Sequence, residues 1–144
     1  MVLNHATGAP ELDAADDFLR ARRRAFVSAL GRRLAGHRRR AARSDAAAEW
    51  RPVGRPRLEV VALDAIVGAV ECAPGFDERL RPTSERARRR WERIALAHRR
   101  GEALPPVVLW RTPAGLLVVD GRHRVSVARA LRLRDIDAWV TDAR

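Results

Sequence analysis

The stretch that decides the fold is LLVVDGRHRVSVARAL, residues 116–131. Its apolar run stops at Asp120-Gly121, and a basic triplet and a helical pattern follow at once. A strand that leads directly into a helix leaves backbone N–H groups unpaired at the helix N-terminus, where the helix dipole adds partial positive charge. Anions bind readily at such an end. The sequence therefore predicts a phosphate site between Gly121 and Arg124.

Each residue of the turn has a role in this prediction. Arg122, His123 and Arg124 fall in the loop and first helical turn, where their side chains add donors to those of the backbone. Gly121 allows a positive φ or a close approach of the ligand. Asp120 can cap the helix, orient a basic side chain, or bind a phosphate-bound Mg²⁺. From spacing alone, an ordinary strand–turn–helix with solvated Arg residues explains the pattern equally well.

Short apolar strands and helices alternate around this stretch. The runs PPVVLW and LLVVD, joined by the turn sequence RTPAG, are typical of strands in the interior of a sheet. Strands are expected at 58–63, 105–110, 116–120 and 135–141. Helices are expected at 84–100 and 124–133, and a helical turn capped by Asp64 at 64–68. The predicted fold class is α/β, in the broad sense that includes α+β.

The N-terminal region has a different composition. Residues 13–43 begin with three Asp and continue with ten Arg, an order of charges that suits the helix dipole. Four large apolar residues fall on one helical stripe that needs a surface to rest on: Leu19, Phe26, Leu30 and Leu34. Residues 44–57 contain Pro and Gly and are predicted to be a connector. We therefore divide the chain into an Arg-rich helical arm with its linker, 1–56, and a domain, 57–144.

The chain is strongly basic, with a formal net charge of +11, and all 29 basic residues are Arg. The planar fork of Arg matches phosphate and carboxylate groups, which favours anionic partners such as nucleotides or nucleic acid. The single Cys excludes an intrachain disulfide and a cysteine zinc site, and fits a reducing compartment. No segment has the pattern of a signal peptide or a membrane span. We expect a cytoplasmic protein without a membrane partner; the arm also allows a homodimer.

Residues 104–140, with LPPVVLW and LLVVDGRHRVSVARALRLRDIDAWV, resemble the N-terminal domain of the ParB and sulfiredoxin superfamily. With fewer matching residues, the resemblance extends over 57–142. The whole block most specifically resembles small stand-alone proteins described as ParB-like nuclease domain proteins. It implies a small mixed sheet with helices behind the Arg-rich helix. In the superfamily this segment binds nucleotide phosphates. The resemblance thus implies CTP, ATP or ADP as ligand, Mg²⁺ between phosphate and Asp120, and cofactor-binding roles for Gly121, Arg122, His123 and Arg124.

Three functions stay open at this point. The first is a nucleotide-binding module that acts as a switch linked to DNA. The second is a phosphotransferase or nucleotide hydrolase, because ADP-dependent serine kinases of the superfamily carry a similar Asp-Gly-His-His-Arg string; the catalytic candidates are Asp120, Glu71, Asp77 and Glu78. Sulfiredoxin chemistry is disfavoured, since Arg122 stands where sulfiredoxins have Cys. The third is a nucleic-acid-binding accessory protein that uses the arm residues Arg22, Arg23, Arg24, Arg32, Arg33, Arg38, Arg39 and Arg40.

Overall fold

The computed structural model describes residues 6–35, 49–71 and 74–144. Over these residues the chain forms three α-helices and five strands, in the order α1 (Pro10–Leu34), β1 (Pro52–Ala62), β2 (Ile66–Ala69), α2 (Arg88–Arg99), β3 (Val107–Thr112), β4 (Gly115–Asp120), α3 (Arg122–Ala130) and β5 (Asp135–Ala143). Single 3₁₀ turns precede β2 and α2. This confirms the α+β class with an N-terminal helix. None of the helices in the described ranges combines the length and apolar character that a membrane span requires.

The five strands form one mixed sheet in the order β1-β5-β3-β4-β2. The β3–β4 pair is an antiparallel hairpin, as its turn sequence predicts, and β5 returns parallel to β3 after α3. The two edge strands run in the same direction, since β1 is antiparallel to β5 and β2 is parallel to β4, which is itself antiparallel to β3. The small mixed sheet expected for this sequence is therefore present, with the β4–α3 turn at the end of an interior strand.

The core lies between one face of the sheet and the helices. Val107, Leu109, Val118 and Val140 of the sheet are fully buried against Val125 of α3. Burying each of these side chains contributes about 1.5–3 kcal/mol. A second cluster joins the three helices, and its centre is Trp91 of α2, whose indole N–H donates to Ser126 Oγ of α3 at 2.9 Å. The sheet fixes α3, α3 fixes α2, and α2 in turn carries α1.

The edge strand β1 begins earlier than the sequence pattern indicates. Residues 52–57 were predicted to be part of the connector, but Pro52 pairs with Ala143 and Arg57 with Val140 of β5. An edge strand tolerates Pro because one row of its backbone groups has no partner, and a register shift between Val53 and Arg57 accommodates the rest. The expected helical turn at 64–68 is also partly wrong, because β2 occupies Ile66–Ala69 and no side chain caps the preceding 3₁₀ turn.

The helix α1 packs through a different face from the one predicted. Ala14, Phe18, Ala21 and Ala25 are buried, and Phe18 meets the Trp91 ring edge-on at 5.6 Å. Small Ala side chains let the two helix backbones approach closely, which the Leu stripe does not. Leu19, Phe26, Leu30 and Leu34 are instead exposed. The part of the predicted helix at 36–43 lies outside the described residues.

Ion pairs fix the position of α1 on α2. Asp17 is buried and accepts hydrogen bonds from Arg99 Nε at 2.8 Å and Arg20 Nη2 at 2.7 Å. Asp13, also buried, accepts from the Thr7 backbone N–H, and this hydrogen bond is the main reason that its pKa lies below the ordinary value. The acids of the first turns thus serve in docking as well as in complementing the helix dipole.

Candidate phosphate site

The turn between β4 and α3 has the backbone that an anion site needs. Gly121 is the N-cap residue of α3, with a left-handed φ of 102°, and no side chain caps the helix. The first helical bond runs from the Val125 N–H to the Gly121 carbonyl at 2.9 Å. The N–H groups of the three residues in between therefore have no partner within the helix. They face outward with the positive end of the helix dipole.

Arg124 holds the turn in place. Its Nη1 donates to the carbonyls of Pro105 and Pro106, at 2.6 and 2.8 Å, and its Nη2 donates to Asp120 Oδ2 at 3.0 Å. Only 13% of the Arg124 side chain is exposed. Asp120 thus orients a basic side chain and does not cap the helix. Since three of the five N–H groups of Arg124 are already donated, its predicted phosphate contact rests on the remaining two.

His123 lies in the first turn of α3, and its imidazole is neutral at pH 7. Its ring meets the Phe76 ring edge-on at 4.9 Å. Burial lowers the pKa of His123 to about 4, and the positive charges of Arg90 and Arg122 act in the same direction. The negative charge of Asp120 raises the pKa, but by less than the other effects lower it. The site therefore combines two guanidinium groups, a neutral imidazole and unpaired N–H groups, which together disfavour a cation and favour an anion.

The depressed pKa of His123 predicts a pH-dependent stability. Between about pH 6.5 and pH 4 the unfolded chain binds the His proton and the folded chain does not, so stability is lost as the pH falls through this window. Allowing for partial exposure, the His123 contribution is on the order of 2 kcal/mol. In urea unfolding at pH 7 and pH 4, His123→Gln should lose about 2 kcal/mol less than the wild type over this interval. An identical loss in both proteins would contradict the assignment.

The candidate carboxylates have different environments. Asp77 is buried and accepts from the N–H groups of Arg79 and Arg81 and from Arg81 Nε, so it maintains the loop at 77–81. Glu71 is 81% exposed and lies 3.7 Å from Arg122 Nη2, next to the turn. Glu78 lines a separate cavity. Of the residues proposed as catalytic, the structure thus brings Glu71 and Asp120 to the site.

The carboxylates near the turn could hold Mg²⁺ only together with a bound phosphate, which would supply further oxygen ligands. In the described ranges, no group of three or more His, Cys, Asp or Glu side chains is arranged to hold a metal ion. Asp120 is 68% exposed, and its hydrogen bond to Arg124 uses Oδ2. Its other oxygen remains available, and Mg²⁺ is commonly held by one carboxylate together with substrate phosphates and water.

Arg90 and Phe76 belong to this site but were not predicted for it. Arg90 lies on α2 in the basic run RARRR, residues 86–90, which the sequence alone does not distinguish from a solvated helix face. Its effect on the pKa of His123 depends on the packing of α2 against α3, a contact between residues distant in sequence. The only local signal is the position of Arg90 directly before the buried Trp91.

The arm residues predicted to bind nucleic acid have separate environments. Arg22 forms an ion pair with Glu85, and Arg24 lines a cavity. Arg23 and Arg33 are exposed, and Arg32 is half-buried. Arg38, Arg39 and Arg40 lie outside the described residues. Nucleic-acid binding by the arm stays a prediction.

A cavity of about 660 Å³ lies beside the second half of α3, away from the turn. Its lining includes Arg81 and Arg129, whose guanidinium groups make hydrogen bonds within the protein, except that Arg81 Nη2 is buried without a partner in the described part of the chain. Arg129 donates to the carbonyls of Leu63, Arg79 and Ile66, and Arg81 donates to Asp77 and Ser28. These contacts connect α3 and α1 to the loops between them, so we assign the cavity a structural role.

Comparison with known proteins gives two solved structures of similar fold. The crystal structure of a sulfiredoxin from Arabidopsis thaliana matches 59% of this chain and 84% of its own, at 14% identity and a TM-score of 0.43. A conserved hypothetical protein from Pyrococcus furiosus matches 64% of this chain and 35% of its own, at 21% identity and a TM-score of 0.45. No protein-family model and no curated protein matches the sequence. At these scores neither structure carries an inference about what this chain binds.

Proposed function

We propose that this chain is a nucleotide-binding module whose Gly121–Arg124 turn binds the phosphate groups. The observation that carries the proposal is the uncapped N-terminus of α3, with Arg122 in its first turn. Arg90, an exposed residue of α2, adds positive charge that acts on His123. Arg90 has no ion-pair partner in the described part of the chain, and Arg122 faces only the exposed Glu71. A bound phosphate would compensate this concentration of positive charge.

In the proposed complex each group makes a defined contribution to binding. The unpaired N–H groups at the start of α3 donate to phosphate oxygens, and the guanidinium forks add charge-assisted hydrogen bonds. The neutral imidazole of His123, packed against Phe76, adds one N–H donor without requiring a proton from solution. Mg²⁺, when bound with the nucleotide, supplies charge neutralisation between the phosphates, and the free oxygen of Asp120 would hold it.

Calorimetric titration with CTP, ATP and ADP in the presence of Mg²⁺ tests the proposal. At least one nucleotide should bind, and Arg90→Ala and Arg122→Ala should each weaken that binding about tenfold or more. Arg89→Ala is the matched control, because Arg89 and Arg90 are both exposed on the same helix, and of the two only Arg90 acts on the pKa of His123. Absence of binding by all three nucleotides, or an equal loss in the Arg89 variant, would refute the phosphate site.

One observation favours phosphoryl transfer as a second candidate function. Glu71 places an exposed carboxylate beside Arg122, where it can accept a proton from a hydroxyl that attacks the bound phosphate. If Glu71 acts as this base, incubation with labelled nucleotide and a hydroxyl acceptor gives a phosphorylated product. The Glu71→Gln variant should then abolish product formation while nucleotide binding persists. Binding without turnover would instead identify a passive module, and preference for CTP would favour the switch linked to DNA.

A further inference from the structure

The side of α1 that faces away from α2 carries many apolar side chains that no other residue in the described ranges covers. Six large side chains on this side are 47–80% exposed: Leu12, Leu19, Phe26, Val27, Leu30 and Leu34. Their spacing places them within one stripe of the helix, opposite the buried Ala14, Phe18, Ala21 and Ala25. We call these six residues the outer face. Asp16 and Arg23 are the charged residues within this stripe, and exposed apolar surface of this extent is typical of an interaction site on a folded protein.

We propose that the outer face binds the outer face of a second copy of the chain, with the two α1 helices antiparallel. The exposed parts of the six side chains amount to on the order of 700 Å² per copy, close to the ~800 Å² per partner of a stable interface. A two-fold axis makes such a surface self-complementary, since each residue meets its counterpart from the other end of the helix. This interface lies apart from the phosphate site and does not depend on it.

The distribution of charge along α1 favours the antiparallel arrangement. Asp16, which is exposed, lies in the second turn, and Arg33, also exposed, lies in the last turn. Antiparallel helices place the acidic end of one copy beside the basic end of the other, whereas parallel helices place like charges together. With Leu12 opposite Leu34, the two-fold axis passes Arg23. The two Arg23 side chains therefore lie close together, and each must turn its charge outward to water while its aliphatic stem covers apolar surface.

Sedimentation equilibrium of the full chain tests the interface. The wild type should form dimers, and Phe26→Glu should raise the dimer dissociation constant tenfold or more. Leu58→Glu is the matched control, because Leu58 is 56% exposed on β1 and lies outside α1. Both side chains are exposed, so both variants should retain the wild-type circular dichroism and nucleotide binding. A wild type that stays monomeric at about 100 μM, or dimers weakened equally by both variants, would overturn the proposal.

Cross-linking tests the orientation of the helices. On a Cys72→Ser background, a mixture of Leu12→Cys and Leu34→Cys chains should form a disulfide-linked heterodimer, since these positions face each other in antiparallel helices. Leu34→Cys chains alone should form no disulfide, and a disulfide there would show parallel helices and overturn the arrangement. Vesicles containing phosphatidylserine provide the last test. Monomeric wild type that binds them, with binding lost in Phe26→Glu, would assign the outer face to a membrane surface instead.

Discussion

Replacing Gly121 with Ala is expected to lower the free energy of unfolding by about 3–4 kcal/mol, because backbone strain and overpacking add at this position. The φ of Gly121 is 102°, which L-residues with a side chain rarely adopt. An added Cβ would lie 2.6 Å from Val107 Cγ1 and 2.9 Å from Val107 Cβ. Val107 is fully buried in the sheet and has no room to move. Urea unfolding measures this loss directly.

Gly101→Ala separates the two causes. Gly101 follows α2 with a φ of 69°, but nothing lies within 4 Å of the position where its Cβ would stand. The Ala variant therefore carries the cost of the left-handed backbone alone, about 1 kcal/mol. If the Gly121 and Gly101 variants lose equal stability, the predicted clash between the added Cβ and Val107 does not occur.

Replacing Arg124 with Ala should lower the free energy of unfolding by about 2–3 kcal/mol, through the loss of three hydrogen bonds. Two of these bonds hold the carbonyls of Pro105 and Pro106, which precede β3, and without them the turn and the sheet are no longer connected at this point. Nucleotide binding should fall as well, because the N–H groups at the start of α3 lose their fixed position. Urea unfolding and calorimetry measure the two effects.

The Arg122→Ala variant separates two roles, because Arg124 is expected to stabilise the turn and Arg122 to bind the nucleotide. Arg122 makes one ion pair in the described chain, at 3.7 Å with the exposed Glu71, and no hydrogen bond that holds the turn, so its removal should change stability by about 1 kcal/mol or less. Nucleotide affinity should nevertheless fall strongly. Equal destabilisation by the Arg122 and Arg124 variants would mean that Arg124 does not fix the turn.

The sequence predicts the centre of the fold well because local and long-range preferences agree there. The apolar runs of β3 and β4 are buried on the core face, and Gly121 occupies the left-handed position at which a strand changes into a helix. The predictions fail at the periphery. Pro52, Gly54 and Pro56 suggest a connector, but an edge strand accommodates them, and whether a strand is at the edge depends on the order of the whole sheet.

In α1 and in the candidate site, too, the sequence predicts local features but not those that depend on packing between distant residues. The Leu stripe of α1 is its most apolar face, yet the Ala face packs, because close approach to Trp91 depends on side-chain size and on the shape of α2. At the turn, the sequence identifies the residues but not their roles. Arg124 donates to carbonyls nearly twenty residues away in the chain, and Arg90 acts on His123 from another helix.

Nuclear magnetic resonance of the His123 imidazole tests the phosphate site most directly, with His123→Gln used to assign the resonance. In the free protein the pKa should be about 4, because burial and the two guanidinium groups oppose protonation. A saturating Mg²⁺-nucleotide places negative charge beside the ring and should raise the pKa above about 5. A His123 pKa that stays the same with nucleotide bound would place the phosphates elsewhere and contradict the proposed site.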